Sequence, residues 1–308
     1  MKKISFVVPA YNEENSIPKL YERIVNQMKQ YAYDWELIFI NDGSRDKTYQ
    51  VLKNLAQKDQ KVKFLDLSRN FGHQAALSAG LAHISGDVII SMDCDLQDPP
   101  ELVDQMLNKW QEGYDIVYAR RMNYRQDNFL KSFLSKVYHK IMSQFSNVEI
   151  PRNVGDFRLV SRQVQDEINL MPERSRYLRG LVAWAGFRTT FVDYQRPDRE
   201  DGESGYTFRK LVQLGMSGLL NFSSIPLRLG LYLGTIAIVV GSFLFVYQAF
   251  DFLVNGNYYH LYKWLVVVLF IFMGFLFILM WIIGEYIAKI YDQVRQRPIF
   301  IIREKGNL

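Results

Sequence analysis

A single cysteine, Cys94, stands in a chain of 308 residues. That excludes an internal disulfide and fits a reducing compartment. Histidine is nearly as scarce, and His73, His83, His139 and His260 have no metal-ligand spacing, so they read as surface or packing residues. No RNA- or DNA-binding motif occurs, and the aromatics fall in apolar stripes rather than among basic residues. The net charge of +5 therefore points to anionic lipid headgroups and phosphorylated substrates, not to nucleic acid. A signal peptide is not expected: Lys2 and Lys3 lead into a short apolar stretch that ends at Pro9 and runs on into Asn12-Glu13-Glu14. There is no internal repeat and no low-complexity tract.

Long apolar runs are missing through about Pro226, and then two follow. Leu229 to Phe250 and Trp264 to Gly284 carry no charged residue, and each reaches the roughly 20 residues needed to cross a bilayer. Soluble helices of that length keep a polar face, so a transmembrane hairpin is expected over 227–288, with spans near 229–250 and 264–284. Lys289, Arg295, Arg297, Arg303 and Lys305 follow the second run, while the connector Asp251 to Lys263 has one acid and one base. The positive-inside rule puts residues 1–226 and the tail 289–308 in the cytoplasm. Two basic amphipathic stripes, near 128–146 and 206–222, are expected to lie on the membrane surface.

Before the hairpin, apolar β-rich runs alternate with helical periods. Ile4 to Val8, Trp35 to Ile40, Val62 to Leu67, Val88 to Met92 and Ile116 to Tyr118 read as strands. Ser16 to Tyr31, Lys47 to Lys58, His73 to Ile84 and Pro100 to Gln111 read as helices. That alternation predicts an α/β domain with a mostly parallel sheet.

The run Val88-Ile-Ile-Ser-Met ends in Asp93-Cys94-Asp95-Leu96-Gln97-Asp98-Pro99-Pro100. Open α/β sheets hold ligands at strand C-termini. Residues two apart in extended chain point the same way, so Asp93 and Asp95 converge while Cys94 faces away. With the Gln97 amide oxygen they form a hard oxygen set suited to Mg²⁺ or Mn²⁺ on a diphosphate. Two more polar loops end neighbouring strands, Pro9-Ala10-Tyr11-Asn12-Glu13-Glu14 and Asn41-Asp42-Gly43-Ser44-Arg45-Asp46. Asp42 can accept from a base or ribose, Gly43 permits close backbone approach, and Asp46 can cap the next helix.

Together these segments resemble glycosyltransferase family 2. Leu67-Ser68-Arg69-Asn70-Phe71-Gly72, Asp95-Leu96-Gln97-Asp98-Pro99-Pro100-Glu101, Gly155-Asp156-Phe157-Arg158-Leu159 and Arg179-Gly180-Leu181 narrow the resemblance to the polyprenyl-phosphate sugar transferases. The resemblance implies a GT-A-type domain, a nucleotide-sugar donor, a polyprenyl-phosphate acceptor and a homo-oligomer, specifically a tetramer. It assigns Pro9, Tyr11, Glu13 and Asp42 to the nucleotide, and Asp93, Asp95 and Gln97 to the metal and diphosphate. Asp156 takes the catalytic position, and Arg121, Lys131, Arg196 and Arg199 the acceptor phosphate. Relatives often carry a basic residue before the Tyr of the loop ending at Tyr206, where this chain has Gly205.

A polyprenyl phosphate is already anionic near neutral pH, so Asp156 is not required as a proton acceptor and can orient the phosphate through an arginine such as Arg158. UDP-glucose is the first choice of donor and UDP-N-acetylglucosamine the second. A processive synthase would carry a Gln-x-x-Arg-Trp motif and more spans, neither of which occurs. Two rival activities stay compatible with these motifs: a transferase acting on a neutral lipid hydroxyl, and a catalytically inactive membrane scaffold.

Overall fold

The computed structural model describes residues 2–122, 151, 153–174, 176–195, scattered positions between 239 and 256, and 260–308. The described residues divide into two units, one within Met1–His139, Val148–Leu211 and Arg297–Leu308, the other within Lys140–Asn147 and Val212–Gln296. Both amphipathic stripes, Lys131, Arg196, Arg199 and nearly all of the first apolar run lie outside the described residues.

The first unit is built on strands β1 Lys3–Ala10, β2 Asp34–Asn41, β3 Val62–Leu67, β4 Val88–Ser91, β5 Ile116–Arg121, β6 Val154–Ser161, β7 Thr189–Tyr194 and β8 Ile302–Gly306. They form one sheet in the order β7-β5-β6-β4-β1-β2-β3-β8. Its middle, β4-β1-β2-β3, is parallel, as the alternating pattern predicts. Such strands are covered on both faces, which is why β1 and β2 are apolar almost without interruption. Helices α1 Ser16–Met28, α2 Thr48–Lys58 and α4 Val103–Gln111 pack on one face, where Ile17, Leu20, Leu52 and Met106 meet Phe6, Val8, Phe39 and Ile90. Helix α3 His73–Leu81 covers β1 and β2 on the other face, close enough that a Cβ at Gly80 would collide with Val7 and Ile40. Helices α5 Arg162–Leu170 and α6 Leu178–Trp184 lie against β6.

Three strands and two helices in this unit, β6 to β8 with α5 and α6, have no counterpart in the sequence pattern. β6 inserts antiparallel between β4 and β5, β7 runs parallel to β5, and β8 pairs antiparallel with β3. The tail is thus an edge strand of the sheet. Arg303 Nε donates to the buried Asp66 at 2.7 Å, and Asn41 Nδ2 donates to the other oxygen of the same carboxylate at 2.7 Å. Asn307 Nδ2 reaches the carbonyls of Ala56 and Val62 at 2.6 and 2.9 Å.

The N-terminal ends of the strands are held by a different cluster. Glu36 is buried and accepts from Ser5 Oγ, Ser85 N–H and Ser85 Oγ, with Lys3 and Lys63 at 2.8 and 2.9 Å. Burial alone would raise its pKa, but these donors overcome it and hold the carboxyl at about 2 against an ordinary 4.5. A lowered folded pKa stabilises above the unfolded value, and that stability is lost as pH falls from 4.5 towards 2. Glu36→Gln should therefore cost about 2–4 kcal/mol at pH 7. Denaturant melts should show the gap from the unmodified protein closing across that acid window. A gap independent of pH would mean that the charge of Glu36 contributes nothing.

The second unit contains a 35-residue helix, His260–Val294. Its described apolar side chains Leu265, Leu269, Phe272, Leu276, Met280 and Ile283 are exposed. Side chains at 260–264, 266–267, 270–271, 274 and 277 are outside the described set, and among the described residues no helix is long and apolar enough to cross a membrane.

Candidate active site

The parallel strands present their C-terminal ends together, and the loops leaving β1 and β2 are laced to each other. Asn12 N–H donates to Ser44 Oγ at 2.9 Å, and Arg45 N–H returns to Asn12 Oδ1 at 2.9 Å. Glu13 N–H donates to Thr48 Oγ1, while the Glu13 carboxylate accepts from Ser16 Oγ at the start of α1. Asp46 accepts the Thr48 N–H and the Glu14 N–H from just outside α2, whose N-cap residue is Lys47 with no side-chain cap hydrogen bond. Pro9 is buried at the end of β1, whereas the Tyr11 ring is 43% exposed and available to lie against a base.

Asp42 is buried, and its two oxygens accept from Phe71 N–H at 2.7 Å and Gly72 N–H at 2.9 Å. It fixes the turn that leads into α3. Gly43 has φ +65°, and a Cβ there would lie 2.5 Å from both the Arg69 carbonyl carbon and the Asn70 nitrogen. The close approach is thus between two loops of the chain itself. Gly43→Ala combines a left-handed φ with a backbone collision. It should cost about 1–3 kcal/mol of stability, measurable by denaturant melts. Unchanged stability would show that the Arg69–Asn70 backbone can move aside freely.

After β4 the chain turns sharply. Leu96 has φ +61°, a costly conformation for a leucine. Within the turn, Asp95 Oδ1 accepts Gln97 N–H at 3.2 Å and Asp98 Oδ2 accepts Asp93 N–H at 3.1 Å. Cys94 is buried in the core on the α1–α4 side. Asp98, fully buried, also accepts from the Tyr194 hydroxyl of β7, to which Arg121 Nε donates at 3.1 Å. Burial and the nearby Asp93 raise the Asp98 pKa. Asp93 is raised too, by burial and then by Asp156 and Asp95, against the pull of His73. Its Oδ1 is buried with no hydrogen-bond donor among the described residues.

Asp156 on β6 is the most heavily engaged carboxylate. Arg179 of α6 grips it with two hydrogen bonds, Nε to Oδ1 at 3.2 Å and Nη2 to Oδ2 at 3.0 Å. His73 Nε2 lies 3.2 Å from Oδ2, and Gln74 Nε2 donates to the same oxygen at 3.2 Å. The buried Arg158 brings Nη1 to 3.6 Å of Oδ1. Burial would raise the Asp156 pKa, but Arg179, His73 and Arg158 hold it well below the carboxylate range. Burial also opposes charge on His73, yet Asp156 and Asp93 lift its pKa to about 9. His73 Nε2 is also 3.7 Å from Asp93 Oδ1, so the imidazole bridges the two carboxylates.

A profile described as Glycosyl transferase family 2 matches residues 5–168, spanning all of these loops and Asp156. The chain belongs to glycosyl transferase family 2. Among its relatives, the SfII prophage-derived bactoprenol glucosyl transferase of Shigella flexneri is 41% identical, over 99% of both chains. The uncharacterized glycosyltransferase YkcC of Bacillus subtilis is 39% identical over 97% of this chain and 93% of its own. Among solved structures, mannosyl-3-phosphoglycerate synthase from Rubrobacter xylanophilus is 16% identical, covers 71% of this chain and 72% of its own, and superposes with a TM-score of 0.48.

Of the family residues expected from the sequence, Pro9, Tyr11, Glu13, Asp42, Asp93, Asp95, Gln97 and Asp156 all sit on this end of the sheet or in its loops. Arg121 is braced against Tyr194 behind the carboxylate turn, with Nη2 4.0 Å from Asp98. Lys131, Arg196 and Arg199 lie outside the described residues. His73 is a correction: it is no ordinary packing residue but the link between Asp93 and Asp156. Spacing offered no signal for it, because its partners come from two distant strands. Arg179 stood in the Arg179-Gly180-Leu181 segment without a role, and the arginine that chiefly orients Asp156 is Arg179 rather than Arg158 alone.

Proposed function

We propose that this glycosyltransferase moves glucose from UDP-glucose to polyprenyl phosphate at the cytoplasmic face of the cell membrane, with inversion at the anomeric carbon. The observation that carries the reading is Asp156, 4% exposed and gripped through both oxygens by Arg179, with its pKa held well below the ordinary carboxylate range. A carboxylate held that way is a poor proton acceptor, which disfavours a neutral hydroxyl acceptor and suits one that arrives already anionic. An oxygen of the acceptor phosphate forms the bond to the anomeric carbon as that carbon's bond to the diphosphate breaks, and the electron pair leaves with UDP. Intact carboxylates at Asp93, Asp95 and Asp156 disfavour the inactive-scaffold reading. Likeness to bactoprenol glucosyl transferases over nearly the whole chain supports both the acceptor and the sugar, with N-acetylglucosamine the second choice.

Pro9, Tyr11, Glu13 and Asp42 bound the nucleotide pocket in this reading, Asp42 by holding the Phe71–Gly72 turn. Asp93 and Asp95, with the Gln97 amide, would hold Mg²⁺ or Mn²⁺, which when bound neutralises charge on the departing diphosphate. The buried Asp93 Oδ1, which has no hydrogen-bond donor among the described residues, fits that assignment. No group of three or more His, Cys, Asp or Glu gathers to cage a metal among the described residues; an Mg²⁺ ion shared with phosphates needs only one or two carboxylates. Arg121, Lys131, Arg196 and Arg199 are the outer contacts for the acceptor phosphate, and the protein acts as a homo-oligomer.

The reading divides the chain into a catalytic domain 1–226, a membrane hairpin 227–288 and a tail 289–308. The exposed leucines and phenylalanine of the long helix favour lipid as their solvent. Membranes containing the protein, given radiolabelled UDP-glucose, UDP-N-acetylglucosamine and GDP-mannose in turn, should label the lipid fraction from UDP-glucose, through an acid-labile phosphodiester. An acid-stable glycolipid product would identify a neutral acceptor and overturn the proposal.

A further inference from the structure

Around Asp156 there are more positive groups than the carboxylate requires. Arg179 alone satisfies both of its oxygens. Arg158 stands behind at 3.6 Å, only 2% exposed, and neither of its Nη atoms has a hydrogen-bond acceptor among the described residues. His73 adds an imidazole, with Nε2 3.2 Å from Asp156 Oδ2. Even with His73 left out, two guanidinium groups face one carboxylate, and such an excess in a part-buried site favours an anion.

Exposure tells which members can reach it. The Asp156 and Arg158 side chains are 4% and 2% exposed, whereas Arg179 and His73 are 31% and 38% exposed. Arg179 uses Nε and Nη2 on Asp156, which leaves Nη1 and the second Nη2 hydrogen as donors. The Gln74 side chain locks both ends of this arrangement, since its Nε2 donates to Asp156 and its Oε1 accepts Leu178 N–H, tying the start of α3 to the start of α6.

We infer that His73 and Arg179 form the inner seat for the acceptor's phosphate, and that Asp156 is a positioning residue that holds these two side chains in place. The inference rests on the reading of the acceptor as an isoprenyl phosphate. The donor's diphosphate is the other anion at hand, but its place is on the Asp93–Asp95 edge. His73 bridges from Asp93 to Asp156, so the seat lies beside that edge. An attacking phosphate needs such a position, next to the leaving group's site yet separate from it.

The test is direct binding, so that it does not depend on turnover. Farnesyl phosphate would be titrated calorimetrically into the full-length, detergent-solubilised protein with UDP present, and UDP would be titrated separately. Arg179→Ala should weaken farnesyl phosphate at least tenfold while UDP affinity stays within twofold. Arg179→Lys should recover part of the loss, and His73→Gln should weaken the same ligand by a smaller factor. In turnover, the loss should appear chiefly in KM for polyprenyl phosphate. Asp156→Asn, which loosens both side chains, should lower kcat more than it raises that KM. Unchanged farnesyl phosphate affinity in both Arg179→Ala and His73→Gln, with folding verified by UDP binding, overturns the seat. A loss confined to UDP would transfer these side chains to the diphosphate and overturn it equally. If the unmodified protein glycosylates no polyprenyl phosphate, the functional reading fails, while the farnesyl phosphate titrations still decide the seat.

Discussion

Asp95→Asn should lower transfer by on the order of 10²–10³-fold, the loss seen when one preorganised electrostatic contact is removed from a charge-separating reaction. The substitution keeps the size of the side chain and the Oδ1 that accepts Gln97 N–H, so the turn should survive. What it removes is an anionic oxygen from the edge at which the diphosphate must be neutralised. Asp93→Asn should be comparably severe, and it also puts an amide beside the buried Oδ1 position that lacks a donor. Initial rates with UDP-glucose over a Mg²⁺ and Mn²⁺ titration would measure both. The Asn variants should need more metal for half-maximal rate than the unmodified protein. Full activity of Asp95→Asn in EDTA would refute a metal role for this edge.

Deleting residues 301–308 should cost about 3–5 kcal/mol, because it strips Arg303 from a carboxylate that is fully buried. For a domain of this size that corresponds to a fall in Tm of roughly 6–20 °C. The deletion also removes the Asn307 amide that satisfies the Ala56 and Val62 carbonyls, and bares the edge of β3. Arg303→Ala should give a smaller part of the loss. Thermal unfolding in detergent, followed by the fluorescence of Trp35 and Trp110, would read it. A truncated chain melting within about 2 °C of the full one, well inside the shift expected for such a loss, would mean that the tail strand only rests on the sheet.

The parallel half of the sheet was legible because buried central strands are apolar runs, and because each ends in a polar loop that stands out in the sequence. β1 to β5 and α1 to α4 follow from that contrast within a few residues. β6 was not legible: Val154-Gly-Asp-Phe-Arg-Leu-Val-Ser carries two charges, both buried, with Asp156 facing Arg158 and Arg179. Periodicity has no access to such long-range compensation. β8 carries three consecutive charged residues and is only five residues long, so Ile302-Arg-Glu-Lys-Gly resembles any solvated tail until Asp66 supplies the partner for Arg303. The carboxylate turn was legible in its residue types, but not in its support, since Asp98, Tyr194 and Arg121 come from three separate elements. His73 was hidden for the same reason.

The pairing of β3 with β8 joins residues far apart in the chain, such as Asp66 with Arg303. During synthesis β3 therefore leaves the ribosome long before its outer neighbour exists, and both long apolar runs are made in between. Through that interval the nascent domain carries an open strand edge and a buried acid held on one side only, by Asn41. Open edges invite pairing with other chains. The edge of β3 is thus closed only after the apolar segments have been made, so the order of translation ties completion of the sheet to the segments that precede β8.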